Sequence, residues 1–253
     1  MQSWKRVAGE LLSVGYGAKN ALVSPADGLR ILMYHSVATD SAADRSDIYS
    51  ISRSRFTDHL NYLNEHRVDD DLAVRPFFEI DEIGVAITFD DGYCDNLEIA
   101  APLLIERGFP FHVFVNPSFV ISGEHRYLTV QSLRELAGLP GVSIGAHGYS
   151  HRKLTECTPS ELQYELDTSK QWIEDAIGTA VTTMAYPHGA VNAEVQRSTA
   201  DAGYTLAASS KFGIVTPTSD RLALKRADIW STDTVRILRS KLRGKWDWMQ
   251  YIS

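Results

Sequence analysis

Short apolar runs rich in valine, isoleucine and phenylalanine alternate along this 253-residue chain with longer amphipathic stretches. The alternation is typical of α/β proteins, in which parallel strands are joined by crossover helices. Seven runs are predicted strands: residues 30–34, 85–89, 111–115, 142–146, 182–186, 205–208 and 223–227. Seven βα units suit either a barrel or a doubly wound open sheet, and in both folds the functional groups collect at the carboxyl ends of the strands.

The stretches between the strands predict six helices, at residues 55–66, 96–107, 130–137, 160–177, 193–202 and 234–242. Thr158, Pro159 and Glu161 supply a cap, a first-turn proline and an acidic third position, and Gly178 stands where a left-handed residue ends a helix. No internal repeat and no linker rich in proline, glycine or serine divides the chain. We therefore expect a single domain over residues 1–253.

The charge balance excludes one class of partner. Lysine and arginine number 25 against 32 aspartates and glutamates, and the net charge of −7 has the wrong sign for binding nucleic acid. No segment reaches the ~18–20 apolar residues of a membrane span, and the N-terminus has no uninterrupted apolar stretch of signal-peptide length. We expect no membrane span and a cytoplasmic location. Cys94 and Cys157 lack any metal-binding spacing and are expected to be free thiols. The sequence leaves the oligomeric state open.

Two adjacent carboxylates follow the second predicted strand, in the segment TFDDGY at residues 88–93. Asp90 and Asp91 repel each other at such a place unless a cation or a proton relieves them. A bound metal is one interpretation, and a solvated acidic turn is the other.

Two imidazoles follow the fourth predicted strand, in the segment HGYSH at residues 147–151. Imidazole is the commonest protein ligand for zinc-like ions, and two histidines with one carboxylate leave positions open for water and substrate. That ligand count belongs to a catalytic site, since a structural site closes with four protein ligands. An incidental pair formed by His147 and His151 is the alternative.

Two further strand ends carry polar groups. The segment AYPHG at residues 185–189 makes a turn that can aim a backbone N–H at a developing oxyanion, although ordinary βα loops begin in the same way. His35 follows the first strand and is either a functional group or an ordinary rim or core histidine. Because four strands deliver polar groups to the same edge of the fold, we favour the functional interpretation of all four.

These segments, in this order, resemble the polysaccharide deacetylases of carbohydrate esterase family 4, which have the NodB-homology fold. TFDDGY is similar to the first motif of that family, HGYSH with the following RKLT to the second, and AYPHG to the third, so the resemblance covers roughly residues 30–230. LMYHSV at residues 32–37 further resembles the branch of poly-N-acetylglucosamine de-N-acetylases. The resemblance implies a distorted (β/α)7 barrel and a hydrolase that releases acetate from an N-acetylated amino-sugar polysaccharide or glycan precursor.

The resemblance also implies how the acidic and imidazole groups divide the work. Asp90 is expected to be the general base. Asp91, His147 and His151 are expected to hold a divalent metal, with Zn²⁺ the first choice and Co²⁺ or Ni²⁺ as alternatives. The substrate class that follows is an N-acetylated carbohydrate.

The remaining roles concern the oxyanion and the leaving group. The resemblance places the His188 backbone N–H in the oxyanion hole, beside Tyr186 and Pro187. His35 is expected to be the general acid, because the late Leu-x-x-His motif that supplies the acid in many relatives is absent after Ala227.

The chain departs from the family pattern at Ala185, where many members have an arginine, and Arg226 near a later strand end is expected to replace it. Aromatic residues around the rim are predicted either to stack against sugar rings or to belong to the core. They are Tyr93, Tyr149, Tyr186 and Trp230.

Two other classes of function stay open. In one, Asp90 and a second carboxylate hydrolyse a glycosidic bond without metal, which requires two carboxyl groups that flank the sugar. In the other, the fold serves as a non-catalytic carbohydrate-binding module. The non-catalytic module is disfavoured because all three metal ligands and the base are present.

Overall fold

The computed structural model describes residues 28–38, 47–68 and 72–251, and the N-terminal segment considered for a signal peptide lies outside them. Seven strands form one sheet: β1 (Leu29–Tyr34), β4 (Gly84–Phe89), β5 (Phe111–Val115), β6 (Val142–Ala146), β7 (Thr183–Ala185), β8 (Leu206–Ala208) and β9 (Ala227–Asp228). Two short strands, β2 (Ser36–Ala38) and β3 (Ser50–Ser52), form a separate parallel pair.

The order of the seven strands identifies a barrel. It runs β8-β7-β6-β5-β4-β1-β9, and every pairing is parallel. A doubly wound sheet would divide its strands between the two sides of β1, whereas here all but β9 lie on one side. Leu224, just before β9, bridges to Ala208 in β8, which draws the two edges together. The sheet curls into a half-barrel surrounded by helices, and the predicted distorted (β/α)7 barrel is confirmed.

Seven α-helices lie within the described residues. They are α1 (Arg53–His66), α2 (Ala101–Glu106), α3 (Pro117–Ser122), α4 (Val130–Ala137), α5 (Pro159–Ile177), α6 (Ala193–Asp201) and α7 (Val235–Leu242). The helix predicted over 96–107 is divided into a π-helical turn, Asn96–Ala100, and α2. Pro102 stands in the first turn of α2, and its missing N–H interrupts the ladder of hydrogen bonds there.

The helix signals around α5 are observed as predicted. Thr158 accepts a hydrogen bond from the Glu161 backbone N–H, and the Glu161 carboxylate accepts one from the Thr158 N–H at 2.8 Å. Gly178 ends the helix with a φ of 75°. The capping box and the glycine therefore fix both ends of the longest helix described.

The boundaries predicted for the last strand, residues 223–227, are wrong by several residues. Leu224 makes only an isolated bridge, and the pairing with β1 begins at Ala227, opposite Leu32. As a result the strand ends at Asp228, which lies at the carboxyl edge where the site is expected.

The alternation of side chains along β4 directs one catalytic candidate into the barrel. Ile87 and Phe89 belong to the core beneath the helices, and Ala86 belongs to a smaller cluster inside the barrel. Since successive side chains of a strand point to opposite faces, Thr88 and Asp90 share the interior face with Ala86.

Two further expectations from the sequence concern membrane-spanning helices and the two cysteines. None of the helices in the described part of the chain has the length and apolar character needed to cross a membrane. Cys94 and Cys157 are both unpaired.

Candidate active site

Asp90 and Arg226 form a buried ion pair at the floor of a cavity of about 520 Å³, at the carboxyl ends of the strands. The guanidinium donates two parallel hydrogen bonds to Asp90, from Nη1 to Oδ1 at 2.7 Å and from Nη2 to Oδ2 at 2.8 Å. Asp90 is 2% exposed and Arg226 is fully buried. Arg226 Nε also donates to the Ser209 carbonyl at 2.9 Å, so the guanidinium is held in one orientation.

The pair controls the ionisation of Asp90. Burial alone would raise the pKa of this carboxyl, but the Arg226 guanidinium, together with the nearby His147 and His35 imidazoles, holds the pKa below its ordinary value. Asp90 is therefore a carboxylate with a fixed orientation.

Asp91, His147 and His151 converge beside this pair. Asp91 Oδ1 lies 3.1 Å from His151 Nε2 and 3.5 Å from His147 Nε2, and one ligand atom from each residue lies within 4.8 Å of the others. It is the one group of this kind found among the described residues. Asp91 Oδ1 is buried and accepts no hydrogen bond from the described part of the chain. A divalent cation would satisfy this oxygen, so the three residues fit a metal.

His147 is already arranged as a metal ligand would be. Its Nδ1 donates to the Ala185 carbonyl at 2.8 Å, which leaves the lone pair on Nε2, the atom that faces Asp91. Burial lowers the pKa of His147 to about 4, so the imidazole is neutral at physiological pH. A neutral imidazole is the form that binds metal.

Backbone strain is concentrated at these residues. In the described part of the chain, three non-glycine residues have a positive φ: Asp91 at 75°, His151 at 60° and His188 at 59°. Such conformations cost about 1–3 kcal/mol each and persist only where the surrounding structure enforces them. All three belong to the set of functional residues predicted from the sequence.

The loop that carries the two histidines is held from both sides. Asn116 Nδ2 donates to the carbonyl groups of His147 at 3.1 Å and Gly148 at 3.3 Å. On the other side, Glu165 accepts hydrogen bonds from the backbone N–H groups of Tyr149 at 2.8 Å and Ser150 at 2.9 Å. The loop is therefore fixed to two helices before any metal binds.

The segment predicted to form the oxyanion hole makes another wall of the cavity. His188 lies in a 3-10 turn, Pro187–Gly189, and its Nε2 donates to the His151 carbonyl at 3.1 Å. Tyr186 lines the cavity, but its ring is buried and its hydroxyl donates to the Leu222 carbonyl at 2.8 Å. Its contribution is therefore to the wall and not to an exposed stacking surface.

His35 and Asp228 line the same cavity, and their side chains interact electrostatically. The His35 ring packs on Tyr49 with a centroid distance of 4.4 Å, and its carbonyl accepts from Asn96 Nδ2 at 2.8 Å. His35 Nδ1 and Asp228 Oδ1 are both buried without a hydrogen bond to any described group. Burial raises the pKa of Asp228, and the nearby His35 imidazole opposes that rise.

Trp230 completes the rim on the same side. Its Nε1 donates to Asp228 Oδ2 at 2.9 Å, and Lys241 Nζ lies 4.2 Å from the centroid of the indole. Lys241 is itself buried and donates to the Asp228 carbonyl at 2.6 Å. The indole is thus fixed at the mouth of the cavity and remains partly accessible.

Comparison with known proteins identifies the family. A sequence profile described as polysaccharide deacetylase matches residues 80–207, half of the chain. This chain belongs to the polysaccharide deacetylase family. One relative is YxkH of Bacillus subtilis (strain 168), described as a polysaccharide deacetylase. The two sequences are 27% identical over 207 residues, and the alignment covers 79% of this chain and 71% of YxkH.

Solved structures share the fold of this family member. The Streptococcus pyogenes deacetylase PplD, solved in complex with acetate, superposes with a TM-score of 0.76 at 21% identity, over 85% of this chain and 98% of that one. IcaB from Ammonifex degensii gives a TM-score of 0.71 at 21% identity, over 86% and 97% of the two chains. Both similarities establish the distorted barrel of this polysaccharide deacetylase family member.

Sequence reasoning missed Asp228 and Tyr49 in this deacetylase-family site. The signal for Asp228 was a carboxylate at a strand end, which the misplaced boundary of the last strand obscured. Tyr49 lies in an unpatterned stretch, and its contact with His35 depends on the pairing of β2 with β3. No local pattern indicates that contact.

Proposed function

We propose that this protein is a metal-dependent hydrolase that removes N-acetyl groups from an amino-sugar polysaccharide or glycan precursor and releases acetate. One observation carries the proposal: the Asp91, His147 and His151 cluster lies in the same cavity as the Asp90–Arg226 ion pair. A metal site beside a fixed carboxylate base is one arrangement that can hydrolyse an unactivated amide.

The three ligands suit Zn²⁺, and Co²⁺ and Ni²⁺ accept the same donors. When bound, such an ion supplies Lewis acidity to the acetamide carbonyl and lowers the pKa of water toward about 7. The protein then contributes the proton transfers and the orientation of the substrate.

Asp90 takes the proton of the attacking water. Arg226 holds both carboxylate oxygens of Asp90 in place and performs the role that the family assigns to an arginine near Ala185. Arg226 and Asp90 are 136 positions apart in the sequence, so the fold and not local spacing brings the guanidinium to the carboxylate. The backbone N–H of His188, at the turn after Tyr186 and Pro187, stabilises the charge that develops on the carbonyl oxygen.

His35 protonates the departing amine, which is otherwise a poor leaving group. Asp228 supports this role, because it lines the same cavity and its carboxyl group interacts electrostatically with the His35 imidazole. Trp230 offers a partly accessible aromatic surface at the mouth for the sugar ring.

Analysis of the products tests the proposal. N-acetylglucosamine oligomers incubated with the purified protein are expected to yield acetate and free amines in equal amounts, with no new reducing ends. New reducing ends without acetate would identify a glycoside hydrolase. Neither product, with measurable binding of the oligomers, would identify a carbohydrate-binding module.

We expect His35→Ala to retain metal and to slow N-acetyl removal by about 10²–10⁴-fold, the usual contribution of a positioned acid. An aryl acetate has a better leaving group and needs less protonation, so its hydrolysis should be far less impaired. Rates on both substrates, with metal content from elemental analysis, measure the contrast.

Asp228→Asn keeps the shape of the side chain. It is expected to slow N-acetyl removal more than hydrolysis of the aryl acetate, as His35→Ala does, but by a smaller factor. If the amide and ester rates of His35→Ala fall by the same factor, His35 positions the substrate or supports the metal site, and the acid is another group.

A further inference from the structure

A second, shallower cavity of about 390 Å³ is lined in part by the loop that carries His147 and His151. We call it the tyrosine groove, and its lining residues are Tyr149, Ser150, Arg152, Ser160, Glu161, Tyr164 and Glu165. It shares no lining residue with the active-site cavity.

The groove and the active-site cavity are separated by one loop. His151 lines the active-site cavity, whereas its two chain neighbours, Ser150 and Arg152, line the groove. Consecutive Cα atoms are about 3.8 Å apart, so adjacent residues of one loop line the two cavities. A polymer with one sugar unit at His151 therefore has a neighbouring unit within reach of the groove.

The groove presents the chemistry that a neutral sugar ring needs. Tyr149 and Tyr164 meet edge to face with their centroids 5.4 Å apart, and Tyr164 is 54% exposed. Arg152 donates to Glu161 Oε1 at 3.0 Å, so the charges at the rim compensate each other. Aromatic rings with polar tips suit ligands that are apolar on one face and hydroxylated at the edge.

The groove is also fixed relative to the active site. Glu165, 3% exposed, accepts the backbone N–H groups of Tyr149 and Ser150 as well as the Ser150 hydroxyl. Tyr164 and Glu165 are adjacent in α5, so one helix holds both the exposed ring and the histidine loop. A ligand that spans both cavities meets a surface that needs little reordering, which favours binding.

We propose that the tyrosine groove binds a second sugar unit of the polymer whose N-acetyl group lies in the active site, so that the protein prefers oligosaccharides to single sugars. This inference rests on the proposed function. The occupant is a neutral N-acetylated hexosamine unit, because the groove combines exposed aromatic surface with a charge-compensated rim and adjoins the active-site cavity.

Calorimetric titration with an N-acetylglucosamine hexamer tests the groove independently of catalysis. Tyr164→Ala is expected to weaken hexamer binding by about three- to tenfold, the range of one aromatic contact. Tyr164→Phe keeps the ring and should bind as the wild type does. Phe78→Ala is the matched control, since Phe78 is 52% exposed and lines neither cavity.

Equal hexamer affinity for wild type and Tyr164→Ala, including no binding by either, would overturn the groove proposal whatever the acetate assay gives. Weaker binding by Tyr164→Ala with no acetate release by the wild type would support the groove and reject the proposed chemistry. Acetate release should follow the same order, with Tyr164→Ala losing efficiency on the hexamer relative to a single N-acetyl sugar.

Discussion

Asp90→Asn is expected to retain the bound metal and to release acetate about 10²–10⁴-fold more slowly than the wild type. The reason is that Asp90 is tied to Arg226 and its proposed task is proton transfer, whereas Asp91 faces both imidazoles. An asparagine fills the same volume but cannot accept the proton. Elemental analysis and initial rates on the same preparation measure both effects.

The substitution also removes the charged partner of a fully buried arginine. An uncompensated buried charge costs about 3–5 kcal/mol, so Asp90→Asn should unfold at a lower denaturant concentration than the wild type. Asp90→Asn/Arg226→Met removes both charges and should recover much of that stability while it stays inactive. Equal loss of metal from Asp90→Asn and Asp91→Ala would show that the two aspartates do not divide the roles in this way.

Asp91→Ala, His147→Ala and His151→Ala are each expected to lose the metal and, with it, acetate release. Each variant leaves two protein ligands, and since the loss of a supporting group alone weakens metal binding about 10–100-fold, the loss of a ligand should weaken it further. A ligand at 100 times its Kd stabilises a protein by about 2.7 kcal/mol. Added Zn²⁺ should therefore raise the Tm of the wild type and not that of the three variants.

Asp47→Ala is the control for this series, because Asp47 is a carboxylate that lines the same cavity but lies outside the cluster. It should keep full occupancy and the Zn²⁺-dependent rise in Tm. If all three ligand variants kept the metal content of the wild type, Asp91, His147 and His151 would not be the metal ligands.

The parts of this fold that sequence predicts are those that local pattern determines. The strands β1, β4, β5 and β6 are mostly apolar, as is typical of parallel strands inside an α/β fold, and β1, β4 and β6 are each followed at once by polar groups of the site. For this reason the sequence alone predicts that Asp90, Asp91 and the two histidines lie at one edge of the sheet.

The parts that sequence did not predict depend on contacts between distant segments. Strand β9 is two residues long and exists because it pairs with β1, so no apolar run marks it. The position of Asp228 follows from that pairing. Tyr149, considered as a stacking residue at the rim, instead faces a groove formed with Tyr164, which a helix brings to it. Only tertiary packing decides which cavity a side chain lines.

Removal and return of the metal test the central claim most directly. Acetate release from N-acetylglucosamine oligomers is measured before chelation, after chelation and after addition of Zn²⁺, and the metal content is determined in each sample. The proposed function predicts that activity falls with metal content and returns when Zn²⁺ is restored. Full acetate release by protein from which the chelator has removed the metal would contradict it.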